Sequence, residues 1–250
     1  MWPVDGWGNS YYEVPMRTPV ADRGLAAGLR EGSHRCGALA VGLALAAWSG
    51  ASPAVAQSIR VKADSPAALV NTNSWVERIV PGSVDTARWD STVTTNATST
   101  MGANLAWGAI QLVDPTPAIT IAFGNTLTIY GVNSVGIDMS AATTNLTIQS
   151  NVVLAGPQRW EVAAGRTLTL GVTGFSGELQ ALAAHTLTKA GPGTLALRGV
   201  SGNSSHAALT RVVDGTLELA KDTGNVVAIG GGGLTIGDTN DAPPVARVVL

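Results

Sequence analysis

Short runs in which leucine or isoleucine alternates with a smaller or polar residue recur from Asn125 onward. They read NTLTI (Asn125–Ile129), NLTI (Asn145–Ile148), RTLTL (Arg166–Leu170), HTLTK (His185–Lys189), GTLAL (Gly193–Leu197), GTLEL (Gly215–Leu219) and GLTI (Gly233–Ile236). Apolar residues two apart point to one face of an extended chain, so each run predicts a strand with one buried side. Glycine, asparagine, serine and proline fill the gaps, the residues that turn geometry selects. The first leucines of successive runs are 19, 22, 19, 8, 22 and 17 residues apart. Apart from the 8, which reads as two strands within one coil, the period is close to 20. No helical periodicity intervenes. That combination predicts a β-solenoid, in which one coil cannot bury its apolar side and stacked coils can. Leu127/Ile129, Leu146/Ile148, Leu168/Leu170, Leu195/Leu197 and Leu217/Leu219 are then expected in one interior column. Thr128, Thr147, Thr169, Ala196 and Glu218 are expected outside. The competing architecture is an antiparallel sandwich or Greek-key barrel, which also has short alternating strands and glycine-rich turns.

The first part of the chain has a different pattern. Arg17, Arg23, Arg30 and Arg35 precede an apolar run from Cys36 to Trp48, followed by Ala54-Val55-Ala56. This is the layout of a secretory signal peptide cleaved after Ala56, with Met1 or Met16 as the start. The run falls short of the roughly 20 apolar residues of a membrane helix, and no later stretch reaches that length. The expected organisation is 1–56 as pre-sequence and signal peptide, 57–112 as an N-terminal cap with the first strands, and 113–250 as solenoid repeats. Val245–Leu250 is a strand pattern without a closing cap, as expected of a fragment or a truncated gene product. With 13% charged residues, the chain is too apolar for a disordered one. Its only cysteine, Cys36, lies in the pre-sequence, so the mature chain is expected to rely on its core.

The best-developed copy of the repeat spans His185–Lys221. Leu187-Thr188-Lys189-Ala190-Gly191-Pro192-Gly193-Thr194-Leu195-Ala196-Leu197-Arg198-Gly199, then Gly215-Thr216-Leu217-Glu218-Leu219, resembles the autotransporter-associated β-strand repeat. The family usually carries an aromatic in the middle turn, where this chain has Gly202-Asn203-Ser204-Ser205-His206. The resemblance implies a right-handed parallel β-helix in an exported bacterial surface protein, often ahead of an outer-membrane β-barrel.

The candidates for chemistry are few. His185 and His206 lie 21 residues apart, about one coil, and read either as a metal or acid–base pair or as turn residues on a solvated flank. Asp214, Glu218 and Arg211 come nearest to the carboxylate cluster of a polysaccharide lyase or hydrolase. Trp75 and Trp89, on either side of Pro81-Gly82, read as buried packing or as an aromatic sugar platform. Asn133, Asn145 and Asn151 suit coil corners. Gly230–Gly233 has no Lys-Ser/Thr after it and reads as a coil turn. Asp238-Thr239-Asn240-Asp241 reads as an Asx-rich turn before a calcium loop. The Thr126/Thr128, Thr167/Thr169 and Thr186/Thr188 pairs suggest an ice-binding ladder that uneven coils would break. A net charge of −2 without a basic patch speaks against nucleic acid. No catalytic, cofactor-binding or metal residue is assigned. The expectation is a non-catalytic exported scaffold or adhesion segment whose partner is a surface glycan or another cell-surface ligand. The rival is a carbohydrate-active β-helix enzyme.

Overall fold

Successive turns of the chain lay short strands side by side in three parallel sheets, as seen in a computed structural model. It describes residues 56–175, 177–203, 206, 208–222, 226–237 and 246–250. The expected signal peptide, apart from Ala56, and Asp238–Asp241 therefore lie outside the described residues.

Strand β1 (Ile59–Val61) begins the first sheet, and β2 (Thr86–Trp89) pairs beside it. Strand β3 (Thr98–Ser99) opens the second sheet and β4 (Leu105–Trp107) the third. The cycle repeats through β5 (Ala109–Leu112), β6 (Ile119–Ile121) and β7 (Thr126–Ile129). It continues with β8 (Val135–Met139), β9 (Leu146–Ile148) and β10 (Asn151–Leu154), then β11 (Gln158–Val162), β12 (Thr167–Leu170) and β13 (Leu179–Ala181). Among the described residues, the last three coils give strands to the first and second sheets alone. These are β14 (Leu187–Ala190) with β15 (Thr194–Leu197), β16 (Thr210–Val212) with β17 (Thr216–Leu219), and β18 (Leu234–Ile236) with β19 (Arg247–Val249). The sheets have eight, seven and four strands. Every strand pair is parallel, so the chain is a β-solenoid of about seven coils and the antiparallel alternative falls.

The interior is a set of apolar columns, one or two per sheet. Ile119, Leu146, Leu168, Leu195 and Leu217 stack in the second sheet, with Ile121, Ile148, Leu170 and Leu197 beside them, all buried. Leu127 and Ile129 do not belong to that column. They stand in the third sheet, between Leu105/Trp107 and Val152/Leu154. Leu187 and Leu234 stand in the first sheet. One kernel thus serves three faces, since every face asks for the same inward-outward alternation. Steps of 19 and 17 residues cross from sheet to sheet. The paired leucines 146/168 and 195/217, 22 apart, mark true coil steps, and Leu168/Leu195, 27 apart, shows that coil length varies. The expected two strands within one coil are β14 and β15. Ala196 lies in the outward register, between Thr169 and Glu218 of the adjoining rungs, yet is buried, because a methyl between longer neighbours is shielded.

Asparagines tie coils together at the corners. Asn104 Oδ1 accepts the Thr126 amide at 2.9 Å, and Asn145 Oδ1 that of Thr167 at 2.9 Å. Asn151 Oδ1 accepts from Glu178 at 3.0 Å. These side chains satisfy backbone donors that the bending chain turns away from its ladder. Beyond β13, Asn203 takes over: its Oδ1 accepts the Leu179 amide at 2.8 Å, and its Nδ2 donates to Ala228 O at 2.7 Å. Asn133 instead sits in a turn with φ of +48°, a conformation that asparagine tolerates.

Candidate functional site

Three tryptophans meet inside the first described coils. Trp75 follows a single 3-10 turn (Thr72–Ser74) whose N-cap is Asn71. Trp89 comes from β2 and Trp107 from β4. The three rings meet at centroid distances of 5.8 to 6.0 Å, and all are fully buried. Trp75 Nε1 donates to Leu69 O at 2.8 Å. No sugar reaches these faces, so the sugar-platform reading of Trp75 and Trp89 gives way to packing.

The histidines do not form a pair on a solvated flank. His206 is buried, with Nε2 3.2 Å from Thr210 Oγ1, and burial pushes its imidazole below the ordinary value. His185 is partly exposed and lies ahead of β14. Leu187 pairs with Thr210, so the residue in register with His185 is Ala208. Among the described residues no group of three or more His, Cys, Asp or Glu could hold a metal.

The two carboxylates stand apart, and only that of Glu218 is paired. Glu218 on β17 meets Arg198 at 2.6 Å. Asp214 lies in the turn between β16 and β17, and its backbone oxygen accepts from Lys189 Nζ at 3.0 Å. Arg211 lies on β16, in the first sheet, whereas Glu218 is in the second.

Lys189 was not singled out in the sequence, although its alternation in Leu187-Thr188-Lys189 places it inward. It stands in an interior column between Trp160 and Val212, fully buried. Its ammonium reaches the turn into β15 and donates to Ala190 O at 2.9 Å, Gly191 O at 2.6 Å and Asp214 O of the next coil. Burial pushes it down to about 8, against the pull of Asp214 and Glu161. Lys62 does a related job near the N-terminal end, donating to Ala63 O and Ser65 O. Both lysines act as internal staples for a turn.

The glycine run is a packing device. A Cβ on Gly230 would lie 1.7 Å from His206 O, and one on Gly232 2.0 Å from Ala208 C, so neighbouring turns stack at backbone contact. The threonine pairs divide among sheets: Thr126/Thr128 in the third, Thr167/Thr169 in the second and Thr188 in the first. They form no common ladder.

The described surface carries two shallow grooves and an aromatic pair. A groove of about 210 Å³ runs over the first sheet between Ile59, Gln111, Asn133 and Asp138. A second, of about 240 Å³, is lined by Asn104, Gly124, Asn125, Thr126 and Asn151 at the corner between second and third sheets. Both fall below the roughly 300–1,000 Å³ of pockets that engulf a small molecule. At the second corner, Phe123 and Phe175 stack with centroids 4.5 Å apart, tilted by 31°, and both remain exposed.

Fold and surface together define a parallel β-solenoid with a filled interior. No known family, curated protein or solved structure matches the chain. No helix among the described residues is long and apolar enough to cross a membrane.

Proposed function

We propose that this chain is an exported, non-catalytic β-helix segment that serves as a scaffold or adhesion module of a bacterial surface protein of the autotransporter type. The observation that carries this reading is the continuous stack of parallel coils, which presents long outward faces around a packed interior. The signal-peptide pattern ending at Ala56 and the repeat motif of 187–199 and 215–219 support it. Its ligand is a glycan or another cell-surface molecule.

Expression of the whole chain in a Gram-negative host tests the reading. The expected product is exported and begins at Gln57. A chain retained in the cytoplasm with its first 56 residues intact overturns export. Incubation with a panel of polysaccharides tests the absence of catalysis. Release of new chain ends that is lost in Asp214→Ala or Glu218→Ala would make the protein a lyase or hydrolase instead.

A further inference from the structure

The only two phenylalanines of the chain, 52 residues apart in sequence, meet at one point on the surface. Phe123 follows β6 in the second coil, and Phe175 precedes β13 in the fourth. Between them the third coil turns through Gln149 and Ser150 alone, from β9 to β10. Relative exposures of 54% and 38% leave the pair wet, although aromatic area is the kind a fold normally covers. The asparagine-lined groove begins at the next residue, with Gly124, Asn125 and Thr126. Asn104 and Asn151 enter from the coils on either side. Backbone amides of Thr126 and Glu178 occupy the Oδ1 atoms of Asn104 and Asn151. Each amide is thereby fixed in orientation, with its Nδ2 on the other side of the amide group from the occupied Oδ1.

We infer that this corner binds a neutral oligosaccharide, one sugar unit stacking its C–H face on the exposed outer face of the Phe123–Phe175 pair while hydroxyls of the neighbouring units bond the amides of Asn104, Asn125 and Asn151. A sugar has one apolar face and a rim of donors and acceptors, which is the pairing this corner offers. The lining contains no cation and no anion, which selects a neutral hexose or acetylated amino sugar over a uronic, sialic or sulfated one. Openness suits a chain read along the solenoid edge. The inference names a ligand class for the adhesion reading, but the site stands or falls in solution whether or not the protein is displayed on a cell.

The test is a panel of immobilised neutral and acidic oligosaccharides probed with the purified chain, followed by titration calorimetry with the best neutral binder. Binding to a neutral oligosaccharide is expected, weakened about tenfold or more in Phe123→Ala/Phe175→Ala. Asn104→Asp keeps the oxygen that accepts from Thr126 but removes the Nδ2 donor, so it should weaken binding with an unchanged melting temperature. Four results would overturn the site: no saccharide bound, acidic saccharides alone bound, binding undiminished in both variants, or a wild-type dimer that the double alanine variant dissolves. The last would make the phenylalanine pair a contact between copies. Export tested on cells can fail without touching any of these outcomes, so the two readings are separable.

Discussion

Gly193 and Gly165 both lie in turns between the first and second sheets, but the space around them differs. A Cβ at Gly193 would fall 2.2 Å from Ala163 O and 2.7 Å from Arg166 O of the coil below, backbone atoms that cannot swing away. At Gly165, with φ of +68°, nothing lies within 4 Å. Gly165→Ala should therefore cost only the left-handed backbone strain, about 1 kcal/mol. Gly193→Ala must push two coils apart and should cost well over 2 kcal/mol. Urea unfolding of the two variants checks the order; equal losses would mean that the coils are less tightly stacked. Lys189 makes a second case. Lys189→Met keeps an apolar stem in the column between Trp160 and Val212 but strands the carbonyls of Ala190, Gly191 and Asp214. Carbonyls that lose a charged donor lose more than the change of stem returns, so a loss of about 3 kcal/mol is expected. A neutral or stabilising Lys189→Met, by the same unfolding assay, would show that water reaches that turn.

At the scale of the element, Trp75, Trp89 and Trp107 pack edge against face or at a tilt inside the first described coils, all three fully buried. Trp89→Ala should cost about 4 kcal/mol, and Trp89→Phe much less, since Trp89 Nε1 has no hydrogen-bond partner to lose. Fluorescence should report it: emission of the native chain is blue-shifted by burial, and in Trp89→Ala the red shift should begin at lower urea. Coincident transitions in wild type and Trp89→Ala would show that the cluster does not stabilise these coils. Packing of Trp75 and Trp89 was readable in the sequence as one of two choices, and so was the solenoid, from its repeated alternation. The face on which each kernel falls was not readable. Leu127 and Leu146 belong to runs of the same composition yet stand in different sheets, because alternation sets inward against outward and says nothing of the corner just passed. The Phe123–Phe175 contact was hidden for a related reason. It spans two coils of unequal length, and the shared edge exists only after the corners are placed. Lys189 was legible in principle, since its parity in Leu187-Thr188-Lys189 puts it inside; a charged side chain simply reads as surface until the carbonyls that receive it are in view.

The whole solenoid integrates these groups into its response to pH. Hydrogen bonds from Thr94 Oγ1, from the Asn96 amide and side chain, and from Thr95 hold the Asp64 carboxyl well below its ordinary 3.8. At Asp138 burial works the other way and is overcome by bonds from Ser140 and Gln111 and by Arg159. Both groups resist protonation more in the folded chain than in the unfolded one, so their contribution is present above 3.8 and is lost as pH falls through their lower folded values. His206 is held below its ordinary 6.5 by burial. As pH drops under 6.5 the unfolded chain takes up that proton first, and stability declines before the contributions of Asp64 and Asp138 are lost. On the alkaline side, burial brings Lys189 and Lys221 to about 8 against an ordinary 10.5, although Lys221 also donates to Arg198 O at 2.7 Å. Between those values the unfolded chain binds more protons than the folded one, so stability rises with pH. Urea midpoints should thus climb out of acid, level off between about pH 7 and 8, and climb again toward about pH 10. His206→Gln should flatten the stretch below pH 6.5, and Lys189→Met combined with Lys221→Met should reduce the alkaline rise to the part left by Lys62, whose ammonium burial also holds below its ordinary 10.5. A wild-type midpoint that falls from pH 8 to 10 would mean that the folded chain holds these lysine protons as tightly as the unfolded one, because the turn carbonyls outweigh burial.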